Sequence, residues 1–149
     1  ILLKKIIRFL TSLNDISEEE INQFNGRLNS EEKANIGEQI LLYLDKHENL
    51  QKADLLAIIF SEYIRKGIDL EQFYKLSDCI HRLYISDLPS LENFKIVSMQ
   101  NQDDLQRLFL AGLLKLDIQV RSRGLHDPKT ALYKLSELGN LFSEIVFNE

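Results

Sequence analysis

Apolar residues recur along most of this chain at intervals of three and four, the spacing that lines one face of an α-helix. Leu2, Leu3, Ile6, Ile7, Leu10 and Leu13 form the first such stripe, which Asn14 and Asp15 interrupt. Ser17 stands three residues before Glu20, a capping box that opens a helix through Phe24 and Leu28. Asn29 and Glu32 repeat the pattern and open a third helix, with Ile36, Ile40, Leu41 and Leu44 on one face. Asn49 caps a fourth, from Leu50 to about Lys66, and Gly67 is the expected left-handed residue after it. Asp69 opens the next helix, with Phe73, Leu76, Ile80, Leu83 and Tyr84 inward. Asp87-Leu88-Pro89 opens another, since proline is tolerated in a first turn. A further helix starts at Asn101 to Asp103 and carries Leu105, Leu108, Phe109, Leu113 and Leu114.

The pattern also shows a weak internal repeat. Ile6-Ile7 followed by NDISEEEINQF matches Ile58-Ile59 followed by KGIDLEQF. In both, a helix stops, an isoleucine (Ile16 or Ile68) plugs the turn, and a Ser or Asp caps the next helix. Two copies indicate paired helical hairpins; a solenoid needs more.

After the last of these helices the character changes. LQRLFLAGLL is followed by the basic segment QVRSRGLHDPK and then by LYKLSELGNLFSEIV, a short strand signal that turns into a helix. The expected fold is mainly α: a bundle of six or seven helices over residues 1–100 with helical-hairpin repeats, then a smaller unit over 101–149. A two-stranded hairpin near Ile118–Val120 and Ala131–Leu135 precedes the terminal helix. The polar Gln100-Asn101-Gln102 marks the boundary, and the two parts are expected to pack as one body. The expected core includes Leu10, Ile16, Phe24, Ile40, Leu44, Leu56, Ile59, Phe60 and Ile68. It continues with Phe73, Leu76, Ile80, Leu108, Leu113, Leu135, Leu138 and Phe142.

Composition narrows the function. The 149 residues are 44% hydrophobic and 28% charged, enough for an ordinary core and surface. No run of about 18 apolar residues occurs, so the sequence contains no membrane span. ILLKKIIRFL is apolar but short and broken by Lys4, Lys5 and Arg8; core packing, dimerisation and a membrane surface are its three readings, core packing first. The chain starts at Ile1 without a Met, which leads us to expect a trimmed or processed product. If a hydrophobic segment preceded it, this helix would connect a cytoplasmic domain to a membrane anchor. A net charge of −5 argues against broad phosphate binding, and the single cysteine, Cys79, excludes an internal disulfide and fits a reducing compartment.

Candidate chemistry is sparse. Asp15 to Glu20 is acidic but lacks the ligand spacing and central glycine of an EF-hand, and acids in a first turn complement the helix dipole. Asp78, Cys79 and His81 are the nearest thing to a catalytic cluster. Residues two apart on a helix point about 200° apart, so Cys79 and His81 share no metal, and a second cysteine is absent. His47 is placed near a helix C-terminus, where a partial positive charge is favoured. Phosphate-binding glycine loops, nucleophile elbows and HExxH do not occur. The sequence therefore assigns no catalytic residue, no metal ligand and no cofactor. Arg121, Arg123, His126, Lys129 and Lys134 fall close together and are the candidate nucleic-acid contacts. Gln102, Gln106 and Arg107 are the candidate base readers, on a helix whose acidic start, Asp103-Asp104, opposes DNA.

The stretch KADLLAIIFSEYIRKGIDLEQFYKLSDCIHRLYISDL, followed by LFLAGLL and LYKLSELGNLF, resembles a family of uncharacterised bacterial and prophage-encoded helical proteins. The resemblance runs from about Leu10 to Phe147 and implies a cytoplasmic helical domain, sometimes preceded by a hydrophobic segment. The turn NDISEEE is similar to one in tellurite-resistance-B-like helical domains, which use acidic loops for metal; the alanine-and-acid-rich loop of that family is missing here. GLL…YKLSELG is similar to the wing region of winged-helix proteins. The leading expectation is a non-enzymatic interaction or regulatory domain whose partner is a protein, first of all a second copy of itself. Nucleic-acid binding through the basic hairpin is the alternative, and a membrane-anchored cytoplasmic domain the second.

Overall fold

A computed structural model describes residues 1–13, 15–47, 49–94, 97–98, 103–119 and 130–147, with the backbone alone at 97–98, 118–119 and 130–131. It is mainly α and forms two compact units, Ile1–His81 and Arg82–Glu149. The division falls upstream of the Gln100–Gln102 segment, because the helical turns after residue 84 pack with the helix that begins at Asp103.

The first unit holds five helices: α1 (Leu2–Ser12), α2 (Glu18–Arg27), α3 (Ser30–Lys46), α4 (Leu50–Ile64) and α5 (Leu70–Arg82, whose last residue lies past the division). Their starts follow the capping signals, because a cap satisfies amide donors that the helix itself leaves unpaired. Ser17 Oγ accepts from Glu20 N–H while the Glu20 carboxylate accepts from Ser17 N–H, each at 3.1 Å. Asn29 and Glu32 form the same reciprocal pair, and so do Asp69 and Gln72. Asn49 Oδ1 accepts from Gln51 N–H at 2.7 Å. Ile16 and Ile68, ahead of two of these caps, are both buried. Arg65, at the end of α4, holds Glu20 at 2.7 Å and donates to the Asp15 carbonyl at 2.8 Å, tying one turn of the repeat to the other.

The core of this unit is built around Phe60. Its ring meets Phe9 of α1, Phe24 of α2 and Phe73 of α5 at centroid distances of 5.8, 5.8 and 5.5 Å. Burial of such rings is the main stabilising term, and the edge-to-face contact with Phe24 adds roughly 0.5–1.5 kcal/mol. Two expectations need correction here. Leu10 is 57% exposed, and the α1 residue buried in its stead is Phe9. The left-handed residue after α4 is Lys66 (φ 66°), not Gly67. Lys66 N–H bonds to the Tyr63 carbonyl and Gly67 N–H to the Glu62 carbonyl, the paired bonds of a Schellman turn, which put the positive φ one residue earlier.

The second unit comprises a single 3₁₀ turn (Ile85–Asp87), α6 (Leu88–Glu92), β1 (Val97–Ser98), α7 (Asp103–Leu110), β2 (Leu114–Gln119), β3 (Thr130–Leu135) and α8 (Glu137–Val146). Among the described residues that makes eight α-helices and one antiparallel sheet in the order β1-β3-β2. The expected two-stranded hairpin is present but β2 is longer, and β1 adds a third strand, with Val97 and Leu116 flanking Tyr133. Leu113 and Leu114 do not continue α7 as expected. Gly112 takes φ 90°, its N–H bonds to the Phe109 carbonyl and Leu113 N–H to the Leu108 carbonyl, so the helix ends and Leu114 enters the strand.

That turn also seats the last helix. Leu113 O accepts from Ser136 N–H at 3.0 Å, and Ser136 Oγ donates to Gly112 O at 2.6 Å and accepts from Gly139 N–H at 2.9 Å. Gly139 lies directly over the Leu113 carbonyl, where a Cβ would overlap the oxygen. Of the expected core residues here, Leu108, Leu113 and Phe142 are buried, while Leu135 and Leu138 are half-buried.

Candidate functional site

The first helix is bound to its unit by polar anchors on one side, and they decide which way its apolar side faces. The Arg8 guanidinium makes two bonds of 2.7 Å to the Asp54 carboxylate of α4, and Ser12 Oγ donates to the same carboxylate. These bonds outweigh the burial of Asp54 and hold its pKa below the usual carboxylate value. Lys5 is buried and donates to the Asp45 carbonyl at 3.2 Å, in the last turn of α3, where a cation complements the helix dipole. Lys5, Arg8, Phe9 and Ser12 thus occupy the docked side. Leu3, Ile7 and Leu10, spaced i, i+4, i+7, are left 67%, 55% and 57% exposed. Of the stripe expected in the core, Ile6 and Leu13 are half-buried and Leu2, Leu3, Ile7 and Leu10 are exposed, while the neighbouring Phe9 is buried.

A second apolar feature lies between α2 and α3. Phe24, Leu28, Ile36, Gly37, Ile40 and Phe60, with the polar Asn25 and Lys33, line a groove of about 210 Å³. Gly37 sits in mid-helix, and a Cβ built there meets no atom within 4 Å. Ile21, one turn before Asn25, and Leu41, one turn after Gly37, are 43% and 47% exposed and continue the apolar lining outward. The sequence hinted at this only by placing a glycine between Ile36 and Ile40.

The expected nucleic-acid contacts fare unevenly. Arg121, Arg123, His126 and Lys129 lie outside the described residues. Lys134 is on β3 and pairs with Asp117 of β2. Of the candidate base readers, Gln102 lies outside the described residues and Gln106 is exposed on α7. Arg107 is committed elsewhere. Its guanidinium grips Asp87 through bonds of 2.8 and 2.7 Å and lies 5.5 Å above the Tyr84 ring. Asp87 is buried, so this pair holds α7 to the 3₁₀ turn; α6 opens at Leu88-Pro89 as expected, without a capping bond from the Asp87 side chain. At the start of α7 the Ser90 hydroxyl donates to Asp104 at 2.6 Å and lowers its pKa, which keeps the acidic end charged.

No family model matches this chain, and neither a curated protein nor a solved structure proves similar to it.

Asp78, Cys79 and His81 take three separate roles on α5. Asp78 accepts from the Tyr43 hydroxyl at 3.1 Å, Cys79 is buried, and His81 stacks on His47 with ring centroids 5.7 Å apart. Burial, with Asp78 adding to it, pushes the Tyr43 phenol up to about 12. Among the described residues no group of three His, Cys, Asp or Glu side chains could hold a metal ion. Nor is any described helix long and apolar enough to cross a membrane.

His47 corrects a further expectation. It does follow α3, but it is 1% exposed, and neither ring nitrogen has a hydrogen-bond partner among the described residues. Burial, reinforced by Lys52, His81, Lys5 and Lys46, lowers its pKa to about 4. The ring is therefore neutral at ordinary pH and complements no dipole; Lys5 meets the end of α3 instead.

Proposed function

We propose that this chain is a non-enzymatic interaction or regulatory module whose partner is a protein, first of all a second copy of itself. The observation that carries the reading is the α1 stripe. Leu3, Ile7 and Leu10 stay exposed while Lys5, on the same helix, is buried. Leaving aliphatic side chains in water while burying an ammonium runs against ordinary partition, and contiguous exposed apolar surface marks an interaction site. The polar anchors to Asp54 and Asp45 maintain that orientation.

Light scattering on the eluting protein over a hundredfold range of concentration tests the reading. Mass should rise with concentration in the wild type and remain at the monomer value in Leu3→Ser/Ile7→Ser. A wild type that is monomeric throughout overturns self-association. We place the module in the cytoplasm as part of the same proposal, since a single cysteine with no disulfide framework fits a reducing compartment.

Nucleic-acid binding through a winged-helix-like hairpin is the second reading. The antiparallel β2–β3 pair favours it, because the sequence that joins the two strands carries Arg121, Arg123, His126 and Lys129. It requires salt-sensitive binding of duplex DNA that weakens in Arg121→Ala/Arg123→Ala, as counterion release dictates. Equal affinity in that variant removes it.

A further inference from the structure

Two basic side chains lie sealed in the interior of the first unit. His47 is 1% exposed, with no described partner for either ring nitrogen; Lys5 is 7% exposed, its ammonium 3.2 Å from the carbonyl of Asp45, two residues before His47. Four helices face the imidazole. The α3 helix brings Tyr43, with ring centroids 6.4 Å apart, and Lys46; α4 brings Lys52; α5 brings His81, stacked at 5.7 Å; α1 brings Lys5. Asp78, the carboxylate tied to this cluster, already accepts from the Tyr43 hydroxyl at 3.1 Å, and Glu48, next in the chain, lies outside the described residues. A proton on His47 is therefore buried beside lysines with no described acceptor to pair with it.

Exposure decides where that charge is relieved. Lys46 is exposed and Lys52 half-buried, so each ammonium has a route to water along its own stem. Lys5 has none while α1 stays docked. The hold on α1 is also light at this end: of its eleven residues Lys5 and Phe9 alone are buried, and Ile1 makes no side-chain capping bond. The other end is tied more firmly, by the Arg8 and Ser12 bonds to Asp54. Against the burial of Asp54, those bonds keep its carboxylate ionised in mild acid.

We propose that the Lys5–His47 cluster is an acid-operated latch: a proton taken up by His47 lifts Leu2 to Ile7 of α1 off the first unit, with the Arg8–Asp54 pair as the hinge. The device acts within one chain and does not depend on self-association. A lifted segment of this length does not hold a helix by itself, so its amides lose protection. With α1 docked, the ring has a pKa of about 4; lifted, it returns to about 6.5. The open form binds the proton more tightly, so acid favours it. The ratio of open to closed chain then rises roughly twentyfold between pH 7 and pH 5.

Residue-resolved hydrogen exchange on the full chain at pH 7 and pH 5 tests the latch, with each rate taken relative to an unstructured peptide at the same pH. Protection of the Lys5, Ile6 and Ile7 amides should fall roughly twentyfold between the two. It should also lie below that of the α4 amides at both pH values, which marks a partial opening. His47→Leu and His47→Phe, neither of which titrates, should abolish the fall. A fall that survives in those variants overturns the latch. So does protection in α1 that is the same at pH 7 and pH 5, or that equals the protection of α4, since the helix then leaves only when the whole unit unfolds. If neither variant folds, these last two results in the wild type still decide.

Discussion

His47 should make the first unit sensitive to mild acid, and the size of the effect follows from its surroundings. The imidazole is buried at the end of α3 against Tyr43 and His81; burial lowers its pKa most, and Lys52 from α4, His81 from α5, Lys5 from α1 and Lys46 from α3 add to it. Protonation adds a charge to an unpaired buried ring amid positive neighbours. The pKa is about 4 in the folded chain against about 6.5 unfolded, so the unfolded state takes up the proton first. The stability tied to the neutral ring is complete above pH 6.5 and is lost as pH falls towards 4. Linkage at 1.36 kcal/mol per pH unit puts the loss at roughly 2 kcal/mol by pH 5 and roughly 3 kcal/mol by pH 4. His47→Leu removes the titration at similar volume. At pH 7 it should remain within about 1 kcal/mol of the wild type, since losing the stacked ring is offset by losing an unpaired buried N–H. Urea unfolding of both proteins at pH 7 and pH 5 isolates the effect, because groups common to the two cancel. Glu20, Asp54 and Asp104, whose pKa values are lowered, lose their contributions only at more acid pH. The wild type should lose roughly 2 kcal/mol more than His47→Leu over that interval. Parallel losses, or an NMR titration of His47 centred near 6.5, would refute the reasoning.

Two further predictions concern backbone positions. Gly139→Ala should destabilise the second unit by roughly 2–3 kcal/mol although alanine is the better helix former, because the added methyl overlaps the Leu113 carbonyl; a thermal melt no lower than the wild type would contradict this. Lys66→Gly should raise stability by roughly 0.5–1 kcal/mol by relieving the left-handed backbone at φ 66°, and a lower urea midpoint would contradict it.

The contrast between what the sequence foretells and what it misses has a physical basis. Ser17–Glu20, Asn29–Glu32 and Asp69–Gln72 could be read as helix starts because each cap is a contact between residues three apart, complete before any tertiary structure forms. The buried turn residues Ile16 and Ile68 follow from the same local logic. The end of α7 did not, because LFLAGLL keeps helical spacing through Gly112, and only the strand pairing of Leu114 with Leu135 competes successfully with the next helical turn. The candidate site was hidden for a related reason. The apolar arc of α1 is wide enough to dock on either edge, and the choice of the Phe9 edge was made by Asp54 and Asp45, more than thirty-five residues away.

Taken alone, the order of residues determined the mainly helical class, most helix starts and the larger part of the core, because caps and amphipathic spacing act within one or two turns. Tertiary structure decided which face of α1 remained in water, that His47 was sealed in neutral form beside three lysines, and that Arg107 was committed to Asp87. Each of those outcomes depends on a partner distant in sequence, and the free energy that selects it exists only once the helices have met.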